Sequence, residues 1–448
     1  MTELLREIAG PGDLRHLHRL FPERYPFLLQ STAPGGERGR FDILFASPGD
    51  ALVLDKPGSL QGPHAAGQRQ FLAALDAWWR AEDHEPGPAQ APFSGGWFLY
   101  LGYELAAEVE PALDLHTDPQ LPVAFAVRCP AALTWDHAAG HCELVEETPG
   151  DFDRSAFAAD IAASKHAPER PDVMLGSIVE EPARHFTDAV VQAKRYIEAG
   201  DIYQANLSRE WRAEVNADLD ANAIYESLCA ANPGPFAGIA RWRDIEIVSS
   251  SPERLLAIRD GIASTRPIAG TRPRSADGAT DQSLSAELFA HPKERAEHIM
   301  LIDLERNDLG RVCVPGTIEV DEMMVLESYA HVHHIVSNVR GRLRSGVTPG
   351  QAIAAVFPGG TITGCPKVRC MEIIARLEDA PRGAYTGSFG YLNRDGSLDL
   401  NILIRTIVKQ GAQVRFRAGA GIVADSDPVA ELEETRAKAE GMLRAIKR

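Results

Sequence analysis

The chain has 448 residues, of which 44% are hydrophobic, and its formal net charge is −17 at pH 7. This length and composition exclude a disordered chain and predict a globular protein of roughly two to four domain equivalents. The acidic balance, without any long basic block, argues against nucleic acid and anionic membranes as partners. An anionic substrate would therefore need a bound cation or converging arginine and lysine side chains.

Nothing in the sequence predicts a targeting or membrane segment. Residues 1–17 mix charged and apolar side chains, whereas a secretory signal has an uninterrupted apolar core. No stretch is apolar enough to span a membrane. The 6 cysteines are dispersed without a CxxC pair, which favours reduced thiols over disulfides or a zinc site. A cytoplasmic location is therefore expected.

The N-terminal part of the chain consists of short apolar runs between proline and glycine clusters. Residues 41–46 and 123–128 are examples, and such runs predict strands and short helices. Residues 165–184 lose helical periodicity and gain proline, which predicts a boundary. We therefore divide the chain into an N-terminal region, 1–165, and a C-terminal region, 186–448.

The C-terminal region opens with a predicted helix. Apolar residues recur on one face at Phe186, Val190, Ala193 and Ile197. Thr187 is the predicted N-cap, and Gly200 follows the helix end. Beyond it, strands such as 246–250, 320–326 and 414–418 alternate with amphipathic helices, without the regular rhythm of a doubly wound sheet. The pattern predicts an α+β fold that is largely antiparallel.

Two later segments carry paired carboxylates at helical spacing. Glu294 and Glu297 are three residues apart and follow a proline suited to a first helical turn. Glu431 and Glu434 have the same spacing, after a cap signal at 427–428. Like charges at this spacing cost about 0.2–0.5 kcal/mol in an isolated helix, so each pair by itself favours a solvated surface. If the two pairs face each other, their oxygens would suit Mg²⁺, which completes its shell with water and an anionic substrate.

Other candidate groups are individually weak. The glycine-rich stretch 357–374 precedes a helix whose amides suit an anion, and AGAGIV at 418–423 would let a ligand approach a strand closely. Arg405 suits a carboxylate and His334 suits proton transfer, although single residues of these types are more often structural. Motifs for hydrolases, phosphate loops and dinucleotide sites are absent from the sequence. The residues alone therefore predict an enzyme with a Mg²⁺ site and an anionic ligand.

A series of motifs in the C-terminal region carries a more specific signal. In order, they are GDIYQANLSR, SSSPERL, TRPIAGTRPR, KERAEH, DLERNDLGRV, HVHHIVS, GGTITGCPKVRCMEII, GAYTGSFGYL, DLNILIRT, AGAGIVADSDP and ELEETRAKA. The series resembles the chorismate-utilising family, which includes the large components of anthranilate synthase and aminodeoxychorismate synthase, with salicylate and isochorismate synthases as more distant members. The resemblance implies two facing, mostly antiparallel β-sheets surrounded by helices, with the site between them.

Carried over residue by residue, the resemblance implies roles for particular side chains. The carboxylates of the Mg²⁺ site are Glu294, Glu297, Glu431 and Glu434. The groups that bind the substrate chorismate are Gly270, Thr271, Tyr385, Arg405, Gly419, Ala420, Gly421 and Lys438. Glu253 matches the general acid that assists loss of the C4 hydroxyl, and Thr361 and His334 lie near the ring and this hydroxyl. Mg²⁺ and cations would hold the diacid while a nucleophile attacks the ring.

Gln204 indicates which nucleophile is used. Relatives that add water place a lysine base at this position, whereas those that add ammonia carry glutamine, since ammonia needs no deprotonation. The resemblance therefore implies amination of chorismate. The sequence shows no glutaminase-like nucleophile motif, so a separate glutamine amidotransferase subunit or free ammonia is expected as the nitrogen source.

Two features favour different aminating branches. Residues 24–50 and 95–111 resemble the aminodeoxychorismate synthase branch of folate synthesis, which makes 4-amino-4-deoxychorismate. Ala269 stands where many enzymes of that branch carry a lysine that attacks the ring, and alanine is the anthranilate synthase pattern. A methyl group cannot form this covalent intermediate, so amination would use ammonia directly or another nucleophile.

We weigh the N-terminal resemblance more, because a single catalytic position can change while a whole region records descent. Formation of anthranilate is the alternative, and a non-catalytic chorismate-binding or scaffolding subunit is the remote one. The segment LLQS, 28–31, is also similar to one that contacts tryptophan in relatives, with Gln30 in place of the usual acidic residue.

Overall fold

The computed structural model describes residues 2–32, 39–82, 91–165, 175–275, 277–290, 292–328 and 332–447. The helices within these ranges are α1 (Thr2–Arg6), α2 (Pro11–Leu20), α3 (Phe71–Ala81), α4 (Ala106–Val109), α5 (Arg154–Ser164), α6 (Ala183–Glu198), α7 (Ala221–Ala231), α8 (Gly278–Ala290), α9 (Pro292–Gly310), α10 (Pro349–Val356), α11 (Lys367–Glu378) and α12 (Pro428–Ile446). The strands are β1 (Phe27–Gln30), β2 (Phe41–Ala46), β3 (Ala51–Leu54), β4 (Leu60–Gln61), β5 (Gly96–Leu101), β6 (Ala124–Cys129), β7 (Ala131–Asp136), β8 (His141–Glu146), β9 (Leu175–Glu180), β10 (Gln204–Val215), β11 (Phe236–Trp242), β12 (Ile245–Ser251), β13 (Arg254–Arg259), β14 (Ile262–Arg266), β15 (Ile268–Pro273), β16 (Glu319–Ser328), β17 (Val332–Arg342), β18 (Gly364–Cys365), β19 (Ser388–Asn393), β20 (Leu398–Asn401), β21 (Thr406–Gln410) and β22 (Gln413–Ile422).

The strands form two 11-stranded sheets. The first sheet has the order β18-β10-β22-β21-β12-β11-β1-β2-β7-β8, with β9 paired to β10. The second has the order β15-β17-β14-β13-β20-β19-β5-β6-β3-β4, with β16 paired to β17. Neighbouring strands are antiparallel, as in the long pairing of β10 with β22 and the pairing of β15 with β17. The α+β, antiparallel prediction is confirmed.

The two sheets face each other across an aromatic layer. Phe27 of the first sheet stacks on Phe98 of the second, with ring centroids 4.0 Å apart and planes within 3° of parallel. Both rings belong to a buried cluster that draws residues from both sheets. Helices α3, α9 and α10 pack on the outer face of the second sheet, and α2, α5, α7 and α12 pack on the outer face of the first, where α6 and α11 also pack against β10. Burial of apolar side chains on both faces of each sheet is the main source of stability.

The N-terminal and C-terminal regions contribute strands to both sheets. β1, β2, β7 and β8 extend the first sheet, and β3, β4, β5 and β6 extend the second. Residues 166–174, at the predicted boundary between the regions, lie outside the described residues. The division at 165 and 186 stays a prediction about sequence organisation, and the two regions share their hydrogen-bonded sheets.

The predicted elements of the C-terminal region are present, with one error of detail. α6 covers the apolar face predicted from residue 186 onward. The helix begins at Ala183, directly after Pro182, so Thr187 lies inside it and the predicted N-cap is wrong. The Thr187 hydroxyl instead donates to the Arg184 carbonyl at 3.1 Å. Pro182 takes the cap position without a side-chain hydrogen bond, five residues before the predicted cap. Among the described residues, no helix combines the length and the apolar character needed to cross a membrane.

A buried ionic cluster joins α11 to β10 and β22. Glu378 accepts from Arg382 at 2.7 Å and from Arg417 at 3.2 Å, and it also accepts from the Ser208 amide at 2.7 Å. Burial works to raise the pKa of Glu378, but the two guanidinium groups hold it below its ordinary value. The cluster is therefore charged and internally compensated, and its members depend on one another.

Replacing Glu378 with alanine should lower the free energy of unfolding by about 3–5 kcal/mol, because two buried guanidinium groups lose their counter-charge. Urea unfolding followed by circular dichroism measures the change. Glu372→Ala is the matched control, since Glu372 lies on the same helix with its side chain 38% exposed and pairs with Arg369. The control should change stability by less than about 1 kcal/mol. Equal losses in the two variants would contradict the role of the cluster.

Candidate active site

Glu253 is a buried acid held by a hydroxyl. It lies between β12 and β13 and is 5% exposed. Thr361, in the 3-10 turn Gly360–Ile362, donates a hydrogen bond to Glu253 Oε1 at 2.7 Å. Burial raises the pKa of Glu253 to about 8, while the Thr361 hydrogen bond and the charge of Lys438 work to lower it. Glu253 therefore carries a proton at neutral pH, which is the state a general acid needs.

His334 lies on β17 and is buried opposite β15. Its Nδ1 is 3.4 Å from the Gly270 carbonyl, and its backbone is paired with Thr271. Burial lowers the pKa of His334 to about 4, and the positive charge of Arg405 acts in the same direction. The imidazole is therefore neutral at physiological pH, so it can act in hydrogen bonding without adding charge. The side chain of Thr271 lies outside the described residues.

Arg405 is a partly buried cation at the junction of β20 and β21. Its backbone has a left-handed φ of 51°. The Ser250 amide, near the end of β12, donates to the Arg405 carbonyl at 3.2 Å. Burial lowers the pKa of Arg405 below its ordinary value. Over the part of the chain that the structure describes, no carboxylate forms an ion pair with it. A partly buried guanidinium in this state is suited to a carboxylate ligand.

The AGAGIV stretch, residues 418–423, lies at the end of β22, and its two glycines leave the backbone uncovered by side chains. A Cβ on Gly419 would lie 2.6 Å from both the Tyr385 hydroxyl and the Leu207 carbonyl. The Lys438 ammonium of α12 donates to the Gly419 carbonyl at 3.0 Å. Ala420, between the glycines, points its side chain into a buried apolar cluster. Glycine is required here because the tyrosine approaches the strand closely, and the structure brings Tyr385 and Lys438 to one place.

Gln204, at the start of β10, lies beside the same stretch of β22. Its Nε2 is 2.5 Å from the position that a Cβ on Gly421 would take. The side chain is 9% exposed, and within the described ranges its buried Oε1 has no hydrogen-bond partner. A buried carbonyl without a donor is costly, so this oxygen is suited to accept from an N–H group of a small ligand.

One glutamate of each acidic pair contacts a residue assigned to this site. On α9, Glu294 Oε2 is 2.9 Å from the position that a Cβ on Gly270 would take, and Arg272 contacts Glu294 Oε1 at 3.3 Å. On α12, Glu434 pairs with Lys438 at 2.7 Å. Glu297 and Glu431, which complete the predicted pairs, are half-buried.

The donor set suits Mg²⁺, because carboxylate oxygens are its preferred ligands, and Glu294 approaches the Gly270 backbone closely. In the described parts of the chain, no three histidine, cysteine or acidic side chains are grouped closely enough to be recognised as a metal site. The magnesium assignment therefore stays a prediction, and the position of Glu294 next to Gly270 is the observation that fits it.

Ala269 lies on β15 opposite Ile335 of β17, next to Gly270. Ile268, the residue before it, contacts Glu253 through its backbone. β15 therefore connects the buried acid to the strand that carries His334. Contacts within the described residues thus link Glu253 to Thr361 and to the backbone of β15, and the charge of Lys438, which is bonded to β22, reaches Glu253.

The sequence interpretation missed Glu305. This residue lies on α9 and is 5% exposed, and its charge raises the pKa of Glu253. It continues the helical face of Glu294 and Leu301 at spacings of seven and four residues. Extending that face by one more turn would have identified it from the sequence.

A cavity of about 530 Å³ lies elsewhere in the fold. Gln30 of the LLQS segment lines it, together with Phe236, Arg254 and Tyr391. Gln30 is 3% exposed and donates to Asp42 at 2.8 Å. None of the predicted site residues lines this cavity. The candidate site is therefore marked by the buried acid Glu253, the neutral His334 and a guanidinium without a carboxylate partner in the described residues, and not by this cavity.

Comparisons with known proteins give a consistent family. The family described as chorismate binding enzyme matches residues 25–444, which is wider than the motif series. An anthranilate synthase component I-like protein from Synechocystis sp. is 44% identical over 80% of this chain and 74% of its own length. Aminodeoxychorismate synthase component 1 of Bacillus subtilis is 36% identical over 97% and 94%.

The fold has solved neighbours in the same family. The crystal structure of anthranilate synthase component I from Streptococcus pneumoniae TIGR4 has a TM-score of 0.79 and 29% identity, and the match covers 91% of this chain and 93% of that one. The isochorismate synthase MenF of Escherichia coli has a TM-score of 0.73 at 19% identity, over 97% and 91%, and supports the fold alone. On these matches and the family's coverage of residues 25–444, the chain belongs to the chorismate-binding enzyme family.

Proposed function

We propose that the chain catalyses the Mg²⁺-dependent amination of chorismate to 4-amino-4-deoxychorismate. The observation that carries the proposal is the buried Glu253, which holds a proton at neutral pH and is oriented by Thr361. A protonated acid in a buried site is what departure of the C4 hydroxyl requires. Ammonia is supplied by a glutamine amidotransferase subunit of the cytoplasm, in keeping with relatives that are named as component 1 of such enzymes.

In this proposal, some side chains bind the substrate and others act on the reacting groups. Arg405, Lys438 and the Tyr385 hydroxyl bind the substrate carboxylates beside the glycines of β22. Gln204 accepts a hydrogen bond from ammonia and directs its lone pair at the ring. The neutral His334 orients the ring without competing with the cations for the carboxylates.

The reaction exchanges ammonia for water. A C–N bond forms and the C4–O bond breaks, while Glu253 gives its proton to the departing oxygen. The proton that the added ammonia loses returns to Glu253, so the acid is restored. Mg²⁺, held by Glu294, Glu297, Glu431 and Glu434, would supply positive charge against a substrate carboxylate. Ala269 provides no nucleophile, so the proposal contains no lysine adduct.

The choice of product rests on the whole chain. The Bacillus subtilis aminodeoxychorismate synthase component matches almost the full length of both chains, including the N-terminal region. Ala269 and the 44% identity to an anthranilate synthase component I-like protein favour anthranilate instead, and this is the second candidate. A purely scaffolding role is disfavoured because Glu253 and His334 are present and buried, and Arg405 is present with its charge acting on His334.

Incubation of the purified chain with chorismate, Mg²⁺ and ammonium at alkaline pH should consume chorismate, because alkaline pH increases the fraction of neutral ammonia. Addition of the lyase that acts on aminodeoxychorismate should then release 4-aminobenzoate, which differs from 2-aminobenzoate in fluorescence and retention time. Glutamine should replace ammonium only when an amidotransferase subunit is added.

The same assay separates the alternatives. Release of 2-aminobenzoate without the lyase would assign the chain to the anthranilate branch. No consumption of chorismate under any of these conditions would leave the scaffolding role and reject the proposed function.

A further inference from the structure

A second buried carboxyl supports the turn that carries Thr361. Glu305 Oε1 is 3.2 Å from the position that a Cβ on Gly360 would take, and Leu304 Cδ2 is 2.5 Å from the same point. Gly360 directly precedes Thr361, whose hydroxyl donates to Glu253. Helix α9 therefore packs against the turn at the place where the acid is held, and only glycine allows so close an approach.

Several charged and polar groups face Glu305. Asp308 lies almost one turn further along α9 and is ion-paired with Lys367 of α11. Thr265 of β14 faces the carboxyl and favours its anion. Burial, followed by the charge of Asp308, raises the pKa of Glu305 to about 7. Because Lys367 compensates Asp308, Glu305 is the carboxyl whose charge bears most on Glu253.

Glu253 itself is influenced by neighbours of opposite sign. Burial is the largest effect on its pKa, and Glu305 adds to the rise. The Thr361 hydroxyl and the Lys438 ammonium act against it by favouring the anion. A general acid must hold its proton before it can donate, so a negative neighbour offsets the cation and the hydroxyl in favour of the acid.

We propose that Glu305 is a positioning residue for Glu253: it fixes the Gly360–Ile362 turn, and its negative charge keeps the acid protonated until the C4 hydroxyl departs. Glu305 touches neither chorismate nor ammonia in this scheme and acts only through Thr361 and Glu253. The inference rests on the proposed amination, in which Glu253 protonates the departing oxygen.

The test is the pH profile of kcat/KM for chorismate at a constant concentration of free ammonia. Glu305→Gln keeps the shape of the side chain and removes its charge, so the alkaline limb should move to lower pH by roughly one unit. At a pH above both limbs, this shift is about a tenfold loss of kcat/KM. Glu305→Asp retains the charge and should keep the limb close to its original position.

Two further variants make the result specific. Thr265→Val removes the hydroxyl that favours the Glu305 anion, so its alkaline limb should move in the same direction by less. Asp303→Asn is the control, since Asp303 lies on α9 with its side chain 65% exposed and pairs only locally with Arg306. Its profile should match that of the unmodified chain.

An unchanged alkaline limb in Glu305→Gln, with an active parent chain, would overturn the inference while leaving the proposed function in place. If Glu305→Gln does not fold, Thr265→Val decides, and an unshifted limb there overturns the inference equally. An inactive parent chain would instead reject the proposed function.

Discussion

Glu253→Gln should lower kcat for chorismate amination by about 10²–10⁴-fold, because the amide has no acidic proton to give to the departing C4 oxygen. Glutamine matches glutamate in shape and still accepts the hydrogen bond from Thr361, so chorismate binding and the folded state should be retained. Single-turnover measurements with ammonia separate kcat from binding, and circular dichroism checks the fold. Glu143→Gln is the control, because the Glu143 side chain is 58% exposed on β8.

The same residue predicts the pH dependence of the parent chain. Burial raises the pKa of Glu253 to about 8. The protonated form is the active one, so kcat/KM at constant free ammonia should be steady below this value and fall as the pH rises through it. Glu253→Gln should lose this limb. Parent activity that increases through pH 9 at constant free ammonia would show that Glu253 is not the acid.

Replacing one glutamate of either acidic pair should abolish Mg²⁺-dependent turnover. Glu297→Ala and Glu434→Ala should each reduce activity by at least about 100-fold, because a bound cation contributes several kcal/mol of transition-state stabilisation. Both side chains are partly exposed on helices, so the fold should be unaffected. Glu434 also pairs with Lys438, and its variant should additionally raise KM for chorismate.

Calorimetric titration with Mg²⁺ gives a readout that does not depend on turnover. The parent chain should bind the ion, more tightly with chorismate present, and both variants should bind it weakly. Glu433→Ala is the control, since Glu433 lies next to Glu434 but is 59% exposed and pairs with Arg436. Parent-like Mg²⁺ binding and activity in both variants would remove these carboxylates from the metal site.

The amino-acid pattern determined several elements of the secondary structure. Helical spacing of apolar residues predicted α6, and the cap at Asp427 predicted α12, where the Asp427 side chain accepts from the Val429 and Ala430 amides. Apolar runs between turn residues predicted β2 and β12 within one residue, whereas β22 extends four residues beyond the predicted 414–418. These elements were predictable because their signals are local. The cap of α6 was misplaced because threonine and proline compete for a helix start, and proline prevailed.

The identity of the candidate residues also came from the sequence, because ordered motifs can be recognised without any knowledge of contacts. Their partners and their protonation states did not. Thr361 and Glu253 are 108 residues apart, and only the packing of α9 against the 3-10 turn places one hydroxyl on one acid. Glu305 was overlooked because a single acidic residue in a helix is usually solvated.

The sequence by itself therefore determined the family, the elements and the set of residues that bear the chemistry. The tertiary structure decided that Glu253 is protonated, that His334 is neutral and that Arg405 has no carboxylate partner in the described residues. The reason is that a pKa depends on how much water and which charges surround a group, and long-range packing sets both.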